Sequence, residues 1–364
     1  MNITSTIHGI EEEIRSIKKA LGDKLFIAAH HYQRGEVVAI SDCIGDSYRL
    51  AVESAKTSAR YILLCGVRFM AESAAILARE NQMVISPDLR AGCPMADMIN
   101  LPLMLKALEQ LDGVVGRPVV PLTYMNSYAE VKALTGERGG AICTSSNAEK
   151  ILSHYMEGKE PVFFSPDFNL GINTARRLGL SLEKIFKIDQ QGNVSSLSGG
   201  VVASMFPPAD GVLFLWDGYC HVHKAFTVAD VERVRACYSD IKVLVHPECD
   251  PEVVAASDGA GSTEWLYRML RAAPAGSCWA IGTELNFVYR AAAEFPEKKI
   301  VPLRESLCPN MARIGLEEVL KALRLILDYE NGAPGTVLSV VSVPPLAKTQ
   351  AKAALSRMIE LTEG

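Results

Sequence analysis

KLFIAAHHYQRGEVVAISDCIGDSYRLAVESAKTSARYILLCGVRFMAESAAILARENQMVISPDLRAGCPMAD, residues 24–97, decides the fold. Its apolar runs (25–29, 61–65 and 83–85) alternate with stretches of helical spacing such as 48–56. Continuous apolar runs read as strands buried on both faces, and their alternation with helices predicts a parallel α/β sheet. Polar or glycine-containing signatures follow in order: His30-His31-Tyr32-Gln33, Gly45-Asp46-Ser47, Cys65-Gly66-Val67 and Gly92-Cys93-Pro94. In open parallel sheets ligands bind beyond the carboxyl ends of the strands, where these signatures fall.

The same order recurs further along the chain as His246-Pro247-Glu248, Gly261-Ser262-Thr263, Ile281-Gly282-Thr283 and Leu307-Cys308-Pro309. The intervals are 17, 19 and 27 positions in the first set and 17, 19 and 26 in the last. Between them lies a set made of Tyr124-Met125-Asn126, Thr144-Ser145-Ser146-Asn147, Ser165-Pro166-Asp167 and Tyr219-Cys220-His221. It is lengthened by about 4 residues around Gly136 to Gly140 and by about 30 from Ser181 to Asp210. The longer addition is rich in turn and polar residues and is expected to be a surface excursion. The predicted fold class is therefore α/β, with three homologous three-layer αβα domains whose short parallel sheets surround a pseudo-threefold axis. The expected units are 1–112, 113–237 (with the insertion at 181–210) and 238–364, the last carrying C-terminal helices that pack back on the first.

The 364 residues, 49% hydrophobic and 22% charged with a net charge near −5, suit a globular chain of two or three domains. No Lys/Arg stripe marks a nucleic-acid partner, and no apolar run reaches the roughly 18 residues of a membrane span. The first twenty residues lack the apolar core of a signal peptide, so a cytoplasmic location is expected. Nine scattered cysteines without a CxxC pair do not make a disulfide scaffold.

One cysteine closes each set at the same place, after a strand and before a helix: Cys93, Cys220 and Cys308. Three units about one axis would bring these thiols together. Three thiolates suit an iron–sulfur cluster, whose usual complement is four, and leave one iron open to act as a Lewis acid. Cys65 and Cys143, at strand ends, read as core, and Cys249 has no assigned role. The second signatures open helices at Ser47, Ser145 to Asn147 and Ser262-Thr263, and three such N-termini on one axis favour phosphate or carboxylate. Acid–base groups come from the first signatures, at His30, His31, Tyr32, Tyr124, Asn126, His246 and Glu248, and from His223 in CHVH. Neither a GxxxxGK[ST] loop nor a GxGxxG turn marks a nucleotide site.

Taken in order, AHHYQ, IGDSYRLA, CGVRFMAES, PDLRAGCPMAD, YMNSYAEVKA, CTSSNA, SPDFNLG, GYCHVH, HPEC, GST, GTE and CPNM resemble the quinolinate synthase family from about His30 to Met311. The resemblance implies a condensing enzyme of de novo NAD biosynthesis. It would join iminoaspartate to dihydroxyacetone phosphate, giving quinolinate with loss of phosphate and water. It implies a 4Fe–4S cluster on Cys93, Cys220 and Cys308 with one open iron. Substrate-binding positions carry over to His30, Ser47, Tyr124, Met125, Asn126, Ser145, His246, Pro247, Glu248 and Thr263. Tyr32, His223 and Glu248 are the implied catalytic groups. L-aspartate oxidase or aspartate dehydrogenase is the implied source of iminoaspartate. Departures are His31, where some relatives have Asn, and His221, where others have Pro. Another open-iron hydro-lyase and a non-catalytic iron–sulfur redox sensor are the alternatives.

Overall fold

The computed structural model describes residues 3–197 and 210–364. Fourteen strands form three sheets among the described residues. The first contains β1 Leu25–His30, β2 Cys43–Gly45, β3 Tyr61–Cys65 and β4 Met83–Ile85. The second contains β5 Val120–Tyr124, β6 Ala141–Cys143, β7 Val162–Ser165, β8 Ile185–Ile188, β9 Val194–Ser196 and β10 Leu213–Trp216. The third contains β11 Lys242–Val245, β12 Gly259–Ala260, β13 Cys278–Gly282 and β14 Lys299–Pro302.

The sheet orders are β2-β1-β3-β4, β6-β5-β7-β10-β8-β9 and β12-β11-β13-β14. In each unit the first strand thus lies between the second and the third, and the fourth sits outside the third. All pairings are parallel except β8 with β9. Helices flank the sheets, so the predicted α/β architecture of three αβα units is the observed one. The reason is visible in β3 and β10, every residue of which is buried, as two-sided coverage requires.

The 181–210 insertion departs from expectation where it is described. Instead of a surface excursion it supplies β8 and β9, which add to the sheet beyond β10. Ile185, Phe186 and Ile188 are buried, and the addition covers the edge that β10 would otherwise leave open. Residues 198–209 of the insertion lie outside the described residues.

The expected unit limits meet helices. Position 112 falls inside the helix Leu101–Val115, whose Met104, Leu108 and Leu111 share a core with Phe163 and Trp216 of the second sheet. The helix Val228–Cys237 ends at 237, yet Val231 and Val234 join the core of the third sheet with Val243 and Ala280. Of the C-terminal helices, Leu316–Glu330 returns to the first unit, where Arg324 holds Glu13 of the helix Ile3–Leu21 at 2.6 Å. Pro345–Glu363 instead lies chiefly against the helix Ala129–Glu137 of the second unit. Gly136 makes that approach possible, since a Cβ there would sit 1.9 Å from the Gln350 carbonyl oxygen. No helix among the described residues is long and apolar enough to cross a membrane.

Candidate active site

The carboxyl ends of the three sheets face one cavity. Its lining includes His30 at the end of β1 and Tyr32 just beyond it, Tyr124 and Asn126 at the end of β5, and His246 and Glu248 after β11. Ser47, Ser145 and Thr263 at the helix entrances line it as well, and so do His223, Cys93, Cys220 and Cys308. Two sequence-predicted residues stand elsewhere. Met125 is fully buried, with its sulfur accepting a hydrogen bond from Ser73 Oγ, and Pro247 faces a neighbouring cavity. His31, offered as an acid–base group, is engaged outside the cavity between Glu264 and Arg290, each at 3.0 Å.

Glu248 is the hub. Its buried carboxylate meets His223 Nδ1 at 2.7 Å and accepts the Tyr124 hydroxyl on the other oxygen. Burial alone would raise its pKa, but attraction to His223 and His246 outweighs burial and holds it below the usual carboxylate range. With its Nδ1 proton committed to the carboxylate, His223 presents Nε2 as an acceptor. Nε2 lies 3.1 Å from Thr283 Oγ1 and 3.4 Å from the Tyr32 hydroxyl. Thr283 Oγ1 and Tyr32 Oη are 2.8 Å apart, and Thr263 donates to Tyr32 at 3.1 Å. A continuous chain of exchangeable protons thus runs from Tyr124 to Thr263. Burial first, and then the Glu248 charge, raise Tyr32 and Tyr124 well above an ordinary phenol, so both keep their protons.

The first and third units share a local device. The Tyr32 amide donates to His30 Nδ1 at 3.1 Å, and the Glu248 amide donates to His246 Nδ1 at 3.3 Å. Each bond assigns the imidazole proton to Nε2. His246 Nε2 then donates to Ser145 Oγ at 3.2 Å. Burial, then the neighbouring His223, lower the His246 pKa to about 3, and burial lowers His30 too. His246 also stacks on His223 at 4.3 Å between ring centroids, an arrangement that opposes charge on both rings.

The helix entrances differ in detail from the sequence reading. The cap of helix Ser47–Lys56 is Asp46, which accepts from the Arg49 amide at 3.0 Å, and Ser47 is the first helical residue. The cap of helix Ala148–Glu157 is Asn147, the last residue of the expected Ser145 to Asn147 entrance. The third entrance is capped by Ser262, leaving Thr263 to face the cavity. Asp46 places a carboxylate at the first entrance, which makes that N-terminus a poorer anion site than the other two.

The three repeat cysteines are free thiols in the cavity wall, and Cys65, Cys143 and Cys249 are buried away from it. Burial raises Cys93 to about 12, with a smaller push from Cys308, and raises Cys220 well above its usual value. Amides two or three residues on point at the sulfurs: Met95 and Ala96 at Cys93, His223 at Cys220, Asn310 and Met311 at Cys308. Such donors stabilise a thiolate, which a bound metal would create. His221 Nε2, also in this wall, is buried without a hydrogen-bond partner. Among the described residues the tight donor group is Cys220, His223 and Glu248, whose ligand atoms lie within 4.8 Å of one another. The three repeat cysteines in the same wall are soft sulfur donors, the ligand class of iron–sulfur clusters. The donor chemistry therefore fits an iron–sulfur group.

Several supports were not singled out in the sequence. Asn169 and Asn173, on the helix Phe168–Arg177, hold the His246 to Cys249 turn through the carbonyls of Pro247, Glu248 and Cys249 at 2.9–3.1 Å. Thr283 bridges Tyr32 and His223. Asn169 and Thr283 lie in SPDFNLG and GTE, which carried the resemblance without a role for either residue, while Asn173 stands two positions beyond the first of these motifs.

The sequence model of the Quinolinate synthetase A protein family matches residues 12–360. The chain is 43% identical over 360 residues to the quinolinate synthase of Bacillus cereus strain ATCC 14579, covering 98% of this chain and 94% of that protein. The quinolinate synthases of Bacillus anthracis and of Bacillus mycoides strain KBAB4 match over the same shares at 43% and 44% identity.

Proposed function

The chain belongs to the quinolinate synthetase A family, and on that premise we propose that it condenses iminoaspartate with dihydroxyacetone phosphate. The products are quinolinate, phosphate and water, and the step belongs to NAD biosynthesis in the cytoplasm. The observation that carries this reading is the meeting of three free repeat cysteines with a proton-bearing chain in one cavity.

Cys93, Cys220 and Cys308 would hold a 4Fe–4S cluster, which supplies an open iron as a Lewis acid for a substrate oxygen. The remaining work falls to the chain's own groups. The Nε2–H of His30, the Asn126 amide, and the hydroxyls of Ser47, Ser145 and Thr263 bind and orient anionic substrate oxygens. The helix entrances at Ala148 and Thr263 favour the phosphate and the carboxylates. His223, oriented by Glu248, accepts a proton at Nε2 directly or through Tyr32, and Tyr32 Oη returns it to a departing hydroxyl. Tyr124 balances the second Glu248 oxygen, so the carboxylate stays ionised. Met125 and Pro247 act through the backbone of their turns.

The test is product analysis with anaerobically purified protein. Iminoaspartate, generated in situ by L-aspartate oxidase or aspartate dehydrogenase, is supplied with dihydroxyacetone phosphate. Quinolinate should accumulate with phosphate in equal amounts. Unchanged substrates from iron-loaded protein would contradict the reading, and dehydration of another hydroxy acid would favour the hydro-lyase.

A further inference from the structure

The three cysteines are held from behind in unequal ways. The helix Phe168–Arg177, which follows β7, is capped by Asp167, and the helix Leu285–Glu294, which follows β13, is capped by Glu284. Both carboxyl groups are fully buried. A helix cap needs one oxygen, and here each acid uses its other oxygen elsewhere. Asp167 Oδ1 accepts the Leu170 amide at 2.5 Å, while Oδ2 accepts the amide of Cys220 at 3.2 Å, 53 positions away. Glu284 Oε2 accepts the Asn286 and Phe287 amides at 2.8 and 3.4 Å, while Oε1 accepts the amide of Cys308 at 3.2 Å, 24 positions away.

The first unit has no such acid. The cap of its helix Arg68–Leu77 is Val67, which makes no side-chain cap bond. The Cys93 amide instead meets the hydroxyl of Tyr128, from the second unit, at 3.4 Å. Serine or asparagine caps a helix as well as an acid does, and burying a carboxyl group is costly. The second oxygen, with its reach to the cysteine, is what the shorter caps lack.

Resting on the cluster assignment above, we propose that Asp167 and Glu284 are positioning residues that lock the backbone of Cys220 and Cys308, so that two of the three thiolates are preset for the cluster. The third, Cys93, is held by a longer bond from a neighbouring unit and is the loose arm of the site.

The experiment follows iron release to a ferrous chelator, with iron and sulfide content, in anaerobically loaded full-length protein. Asp167→Ser and Glu284→Ser keep a capping hydroxyl that is too short to reach the cysteine. Each should release iron about 10- to 100-fold faster than wild type. Asp167→Asn and Glu284→Gln keep the length but replace one accepting oxygen by an NH2 donor, so one of the two amides loses its acceptor. Their release should lie between wild type and the serine variants, and Tyr128→Phe should also act less than the serine variants. Asn100→Ala removes an ordinary cap from the helix Leu101–Val115, where Asn100 Oδ1 accepts the Leu103 amide at 3.0 Å. It should lower the melting temperature of the metal-free protein and leave iron release unchanged. Wild-type release rates in both serine variants, or equal acceleration by Asn100→Ala, would overturn the proposal. Should a serine variant fail to fold, the Asn and Gln variants decide: release at the wild-type rate in both counts against the proposal. A wild-type protein that takes up no iron and sulfide would instead overturn the cluster assignment itself, and this inference with it.

Discussion

His246 offers a quantitative check of the site's electrostatics, through its replacement by asparagine. Its ring is 2% exposed, and burial and His223 hold its pKa at about 3, against 6.5 for a free imidazole. A depressed imidazole lets the unfolded chain take the proton first. Stability present above pH 6.5 is therefore lost as the pH falls toward the folded value. Between pH 7.5 and 5.5 one such group removes about 1.4 kcal/mol. For 364 residues the unfolding entropy is about 0.8 kcal/mol/K, so the change corresponds to about 2 °C in melting temperature. His30, also depressed, adds a similar amount in both proteins and cancels from their difference. Glu248 does not interfere, because its depressed pKa places its loss of stability below 4.5, outside the window. Calorimetry of metal-free protein at the two pH values should give a downward shift about 2 °C larger for wild type than for His246→Asn. Equal shifts would refute the neutral, buried assignment of this ring.

Glu248→Gln should cut quinolinate formation by roughly 10²- to 10⁴-fold, measured as initial rate, while iron content stays at the wild-type level. Its melting temperature should fall, because the substitution removes the carboxylate and leaves the buried His223 and Tyr124 on a weaker, uncharged partner. Asn173→Ala frees the carbonyls of Pro247 and Cys249, which should destabilise the protein by about 1–3 kcal/mol and lower kcat/KM in the same assay. Gly136→Ala drives a methyl group into the Gln350 carbonyl and should lower the melting temperature, with proteolysis beginning in the helix Pro345–Glu363.

The architecture was legible because buried parallel strands announce themselves as continuous apolar runs, and because the intervals 17 and 19 repeat. Strand-end residues such as His30, Tyr124 and His246 followed from the same logic. Pro247 and Met125 show its limit, since adjacent residues of one tight turn point in different directions. Ile185 to Ile188 escaped notice because four apolar-rich residues inside a polar stretch carry no sign of a sheet neighbour. Asp167 and Glu284 were visible as letters before helices, but a cap with a second, distant partner needs the third dimension. The same holds for His31, whose partners Glu264 and Arg290 lie more than 200 positions away.

The most direct measurement is the iron and acid-labile sulfide content of anaerobically purified protein, taken with the single Cys→Ser variants. The account predicts about four of each per wild-type chain. It predicts loss of the intact cluster in Cys93→Ser, Cys220→Ser and Cys308→Ser, and no loss in Cys237→Ser, whose exposed thiol does not line the cavity. A colourless protein carrying one zinc, or a cluster that survives all three substitutions, would contradict it.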